Sequence, residues 1–443
     1  AGGGVERPVG GAGRRLAEQD REEGAMAGTQ LNLIYREFVG FERAFRRQLK
    51  AYQEQQPDVT IQFESHDVPP LYEKMVAQRG CLSGQYDLFL AVTDWLPELM
   101  RDGLVTCIDD FLREAPPPDW PDGWTDSVRR LQRDAAGRTY GLAYHDGPEV
   151  FMYRTDLFGD PREQERFRRQ YGRDLAVPRT WSEFLDLAKF FTRPDEDLYG
   201  CVVAAKPDGH NDVYDFMIHL WSRGGQLLDE RMRPAFDSPE GEAALRFYVD
   251  LIHEHRVTQP QPWEYESVGS GSFYASGRAA MMWNWCGFQA VADMPELSKI
   301  PGKTRSTMVP GGDGPNGRRV SLNIYWVMTI PSGSRQKEAA WAFMRHLATP
   351  AMDKITSEEG GTGTRLSTWN DPDIRRQFQY YEVIEEVHQY VESPPQIPEY
   401  PAINEVLNQM MARVVIEQRD IRQALREAAQ ETEAILAQAG YYR

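Results

Sequence analysis

Trp283 and Trp285 flank Asn284 in the segment WNWC, which places two flat aromatic faces and one planar amide in a single short stretch. Sugars present patches of C–H beside rings of hydroxyls. A site for one needs aromatic faces to stack on and planar polar groups for paired hydrogen bonds. On a strand, residues two apart point to the same side, so the two tryptophans share a face; both could equally be core. Trp326, in IYWVMTIP, is open to the same two readings. Asp94 stands with Trp95 at the end of DLFLAVTDW, where its carboxylate could accept two hydroxyls or support a helix N-terminus. His145 and Glu149, in YHDGPEV, are further polar candidates, with plain surface exposure as the alternative.

Other chemistries find little support. GDGPNG (Gly312 to Gly317) matches GxGxxG but carries Pro315 and precedes a strand. A dinucleotide loop must open a helix whose amides face phosphate. No P-loop, HExxH or GxSxG occurs, and the eight histidines form no ligand cluster, so neither a metal site nor a cofactor is expected. His253 and His255, two apart on a helix, point to different sides. A convergent carboxylate pair for glycoside hydrolysis stays open, because 67 acidic residues allow many pairings.

The elements that must position these residues follow from periodicity. LNLIY (31–35), VTIQF (59–63) and DLFLAV (87–92) read as strands, and Phe41, Phe45, Leu49 and Tyr52 mark one face of an intervening helix. The βαβαβ order is that of a doubly wound sheet, in which ligands bind beyond the carboxyl ends of strands. That is where Thr93, Asp94 and Trp95 fall. A capping box from Thr180 to Glu183 opens one helix, and Ser238 with Pro239 opens another. GRAAMMWNWCGF reads as a buried strand, SLNIYWVMTIP as a further one, and Ile421, Leu425, Ala428 and Ile435 as one side of a late helix.

A chain of 443 residues exceeds one ordinary core and predicts two domains. The net charge of -17 argues against nucleic acid as a partner. The first 28 residues hold eight glycines and the charged run RRLAEQDREE, read as a flexible arm with no visible signal segment. Four scattered cysteines suggest free thiols or a single bridge, Cys81 to Cys107.

Several blocks, in order, resemble the family 1 extracellular solute-binding proteins of bacterial ABC transporters, the group that includes the maltose-binding protein. They are DLFLAVTDWLPELMRDGLVTCIDDFL, YGLAYHDGPEVFMYRTDLF, SFYASGRAAMMWNW and WVMTIPSGSRQKEAAWAFMRHLATPAM. The resemblance implies an α/β, type II periplasmic-binding-protein fold: two lobes, each a doubly wound sheet flanked by helices, with a hinge between. The expected division is an arm over 1–30, a first lobe over 31–144 plus 322–349, and a second over 145–321 plus 350–443. Crossovers near 145–149 and 318–321 would form the hinge. The resemblance further implies a carbohydrate, mono- or oligosaccharide, in the cleft. The chain would be a monomer that delivers it to permease subunits outside the cytoplasm, without catalysis. A carbohydrate-active lyase or hydrolase on a similar scaffold is the alternative. Matching positions imply ligand contacts from Asp94, Glu149, Trp285 or Phe288, Trp326, Arg365 in GGTGTRLS, Tyr400 in PQIPEYPAI, and Phe38 from the first lobe.

Overall fold

A computed structural model describes residues 28–442; residues 1–27, most of the expected arm, lie outside the described residues. The apolar runs read from the sequence become β1 (Gln30–Arg36), β2 (Thr60–His66) and β3 (Leu88–Val92). They are parallel, in the order β2-β1-β3, because helical crossovers return each strand in the same direction. The helix Val39–Gln53 buries Phe41 and Phe45 against this sheet and Tyr52 against Phe343 and His346 of the helix Lys337–Leu347. β4 (Leu142–His145) closes the far edge.

The chain then leaves for a second sheet. β5 (Glu149–Arg154), β6 (Tyr199–Val202), β7 (Ala279–Trp285) and β8 (Thr304–Thr307) stand in the order β6-β7-β5-β8. The capping signals hold locally: Glu183 N–H donates to Thr180 Oγ1 at 3.3 Å, and Gly241 N–H donates to Ser238 Oγ at 3.1 Å. Each satisfies an amide that the first helical turn leaves without a partner.

SLNIYWVMTIP is not one strand. It splits into β9 (Ser321–Leu322) and β10 (Trp326–Thr329), and β10 inserts antiparallel between β3 and β4 of the first sheet. The break is a second passage between lobes. Asn323 N–H bonds to Glu392 O, and Pro148 of the first passage bridges to Asn323 of the second. The crossing therefore lies at 323–325, after the expected 318–321. β9 pairs in parallel with β11 (Val391–Glu392). The helix Pro350–Glu358, expected in the second lobe, instead packs on the first: Gln48 Nε2 donates to Met352 O and Thr356 Oγ1, each at 2.9 Å. Residues 379–382 are back beside β8, so the chain passes between lobes three times rather than twice.

All four cysteines are free thiols, so the expected Cys81–Cys107 bridge is not formed. Cys81 is buried in the turn Gly80–Leu82, while Cys107 leads half-exposed into the helix Asp109–Glu114. Burial pushes the Cys81 thiol up to about 12. Alkylation of the native protein without reductant should therefore label Cys107 first and the other three only on unfolding. An intact mass two hydrogens short would contradict this.

Candidate functional site

Strand ends and helix starts from both lobes meet across the cleft, and two cavities lie there. The larger, ≈ 270 Å³, is lined by Tyr72, Asp94, Trp95, Asp208, Tyr214, Tyr400 and Asn404 among others. The smaller, ≈ 40 Å³, is lined by Arg36, Phe38, Phe41, His145, Trp285 and Phe288. Trp326 and His210 line both and mark where the two adjoin.

Asp94 sits in the short turn that follows β3, as the strand-end rule requires. Tyr214, on the helix Asn211–Ser222 of the second lobe, donates to Asp94 Oδ2, a hydrogen bond from lobe to lobe. The other oxygen, Oδ1, is buried and has no protein partner. Burial pushes the Asp94 carboxyl up to about 7, and the Tyr214 hydrogen bond opposes that only in part. Trp95 packs edge-on to Trp326 at 6.0 Å, and Trp326 meets Phe41 at 6.4 Å, so three aromatic side chains support one wall. Arg36, the last residue of β1, lies 5.7 Å over the Trp326 ring and donates to Ser267 Oγ of the second lobe at 3.3 Å. Its Nε is buried without a partner.

From the second lobe, Trp285 ends β7 and donates from Nε1 to Asn211 Oδ1 at 2.9 Å. Phe288 follows in the helix Gly287–Asp293. Tyr400 opens the helix Tyr400–Val415 and donates to Asn404 at 3.1 Å. Phe38 packs edge-on against Phe41 at 5.0 Å. Thr362 N–H donates to His145 Nδ1 at 2.8 Å, and burial holds this imidazole down to about 3, hence neutral.

Eight of the eleven residues singled out from sequence thus line the cavities: Phe38, Asp94, Trp95, His145, Trp285, Phe288, Trp326 and Tyr400. Three do not. Trp283 is core, edge-on to Trp181 at 5.2 Å and to Phe184 at 5.5 Å, with Nε1 donating to Asp215. It shares the helix-facing side of β7 with Trp285 but lies two residues deeper. Arg365 is 1% exposed and donates to Pro118 O, Ala348 O and Asp119 while stacking on Trp124, so it clasps the first lobe together. Glu149 lies at the start of β5 opposite Trp285, fully buried, with both carboxyl oxygens unpartnered. Burial and the nearby Asp215 carboxyl hold it well above the usual carboxylate range.

Sequence reasoning missed Arg36, His210, Tyr214 and Asp208. Arg36 was within reach of the strand-end rule that located Asp94. The others sit in a polar loop and helix start, DGHNDVY (208–214), where a single tyrosine and no motif mark the site. Among the described residues no group of three or more His, Cys, Asp or Glu is placed to hold a metal, and no helix is long and apolar enough to cross a membrane.

A cleft between two α/β lobes, joined by strands that pass between them, is the architecture expected of the group the motifs resemble. The family model for the bacterial extracellular solute-binding protein matches residues 39–354. The chain belongs to this family. Among relatives of the chain, the mannitol-binding protein of Pseudomonas aeruginosa is 23% identical over 423 residues, covering 89% of this chain and 91% of that one. The maltotriose-binding protein of Pyrococcus abyssi is 22% identical, covering 75% of this chain and 66% of the relative. Of solved structures, a ribitol complex of an ABC transporter solute-binding protein from Agrobacterium radiobacter K84 superimposes with TM-score 0.82 at 26% identity, covering 93% of this chain and 99% of that one. A mannitol complex from Agrobacterium vitis S4 gives TM-score 0.81 at 20% identity, over 94% of this chain and 100% of that one, and speaks to the two-lobe fold.

Proposed function

We propose that this chain is the extracytoplasmic binding component of an ABC importer and that it captures a small neutral carbohydrate or sugar alcohol between its lobes. The observation that carries this reading is the cleft lining: aromatic faces of Trp95, Trp285 and Trp326 around a buried carboxylate with one unpartnered oxygen. Aromatic faces suit C–H patches and the carboxylate suits hydroxyl donors. Relatives named for mannitol, maltotriose and ribitol support the same class. The contacts would come from the eight cavity-lining residues together with Arg36, His210 and Tyr214.

Ligand held by Asp94 on one lobe and Trp285 on the other favours the closed form, since only that form touches it from both sides. The closed monomer would then dock on permease subunits and release its cargo unchanged. Calorimetry and tryptophan fluorescence against a panel of sugars, sugar alcohols and amino acids test the reading. One-to-one binding of a neutral polyhydroxy compound is expected. Binding of amino acids alone, or release of a new reducing end from a bound glycoside, would overturn it.

Trp285→Ala should weaken that binding by about 2 kcal/mol, the usual cost of truncating an aromatic anchor. The fold should persist, because the ring packs at the end of β7 rather than under it. Unchanged affinity with a lost thermal transition would return Trp285 to the core.

A further inference from the structure

His145 and His210 come from opposite lobes, both line the smaller cavity, and their surroundings lock them in opposite tautomers. For His145 the proof is one bond. A backbone N–H, that of Thr362, points at Nδ1, so Nδ1 must be the acceptor and the ring proton sits on Nε2. For His210 the proof takes two bonds. The Trp285 indole N–H can only donate, so the Asn211 atom it meets at 2.9 Å is the amide oxygen. The same oxygen lies 3.0 Å from His210 Nδ1, which must therefore carry the proton. The amide nitrogen of Asn211 faces Asn284 Oδ1 at 3.3 Å, consistent with that orientation. His210 Nε2 is left as a bare lone pair. Burial holds both imidazoles down to about 3, so neither gains a second proton near neutral pH.

The smaller chamber thus presents a donor, His145 Nε2–H, and an acceptor, His210 Nε2, neither of which has another partner among the described residues. Arg36, whose Nε is buried and unpartnered, lines the same chamber and adds positive charge to its wall. At ≈ 40 Å³ the space fits a chain end and not a sugar ring, since a single water-sized group needs about 10–15 Å³ by the same measure. One group both gives and takes a hydrogen bond through a single atom: an alcohol hydroxyl. A carboxylate can only accept and would set an oxygen against the His210 lone pair. The Arg36 charge is moreover already offset by Glu266, Asp67 and Asp208 nearby. An ammonium can only donate and would oppose both Arg36 and the His145 N–H.

We infer that this chamber is a subsite for the terminal hydroxymethyl group of an open-chain polyol, with His145 donating to its oxygen and His210 accepting its proton, and that it rejects ionised chain ends. The inference rests on the carbohydrate reading above and names the part of the ligand that the smaller chamber holds.

Calorimetry on D-mannitol and ribitol tests it, each against analogues altered at both ends, because the ends of D-mannitol are related by a two-fold axis and those of ribitol by a mirror plane, so that either could enter the chamber. The analogues are the dicarboxylates, the terminal diamines and the terminal dideoxy compounds. The alditol should bind, and each analogue should lose at least about 100-fold, as expected where buried polar groups are left unpaired. A dicarboxylate or diamine that binds as well as its alditol would overturn the subsite. So would cyclic sugars binding while both alditols fail, which leaves the carbohydrate reading intact; failure of every carbohydrate removes both. Independently of ligand, ¹⁵N spectra of the histidine-labelled protein should show His145 protonated on Nε2 and His210 on Nδ1, with His145→Gln and His210→Gln giving the assignments. The reverse tautomer at either ring would also overturn it.

Discussion

Asp94→Ala is expected to lower affinity for the bound carbohydrate by about 100-fold, roughly 3 kcal/mol, without unfolding the protein. Asp94 is 3% exposed and lines the larger cavity, its Oδ1 is buried with no protein partner, and its Oδ2 already accepts from Tyr214. A hydroxyl donated to Oδ1 would satisfy an acceptor that the closed form leaves buried and bare. Removing a desolvated carboxyl from a polar cleft costs the fold little, because the unliganded protein carries the desolvation penalty itself. Tyr214→Phe separates the two roles of Asp94, since it deletes only the bond between lobes. If both variants lose affinity equally, Asp94 acts through Tyr214 alone. If Asp94→Ala binds as the parent does, the carboxylate is no ligand contact.

Arg365→Ala should do the opposite: lower stability by about 3 kcal/mol and leave affinity unchanged. Its guanidinium donates to Pro118 O at 3.0 Å and Ala348 O at 2.8 Å, and its carbon lies 4.2 Å over the Trp124 ring. Truncation opens a cavity and strands the buried Ala348 carbonyl in the interior. The partner Asp119 is 67% exposed, so that ion pair contributes little of the total. A lower thermal midpoint with an unaltered calorimetric titration is the expected outcome. A stable variant with weakened binding would put Arg365 back at the ligand.

The strands and helices that carry the site were legible because their burial is periodic. LNLIY and DLFLAV are apolar but for Asn32 and Asp87 and lie inside a sheet covered on both faces, while the helix at 39–53 repeats its apolar positions every three or four residues. Asp94 was legible for a topological reason, since it follows a parallel strand at its carboxyl end, where loops are free to hold ligand. Passages between lobes were harder to place. The run SLNIYWVMTIP is apolar on both sides of its break, because each half is buried in a different environment, and composition does not register the change.

The sequence by itself determined the element order, the two-lobe α/β class, the family, and a short set of aromatic and acidic candidates. Only the tertiary structure decided which candidates reach the cleft. Trp283 and Trp285 share a strand face, as alternation requires, yet one lies beneath the helix Asn211–Ser222 and the other at its mouth. Alternation specifies side, not depth. Arg365 looks like a ligand residue until the carbonyls of Pro118 and Ala348, distant in sequence, occupy its donors. The tautomers of His145 and His210 are likewise set by Thr362 and by the Trp285–Asn211 pair. A hydrogen bond between residues far apart in the chain depends on how the lobes fold back on each other, and no local pattern of residue types encodes that distance.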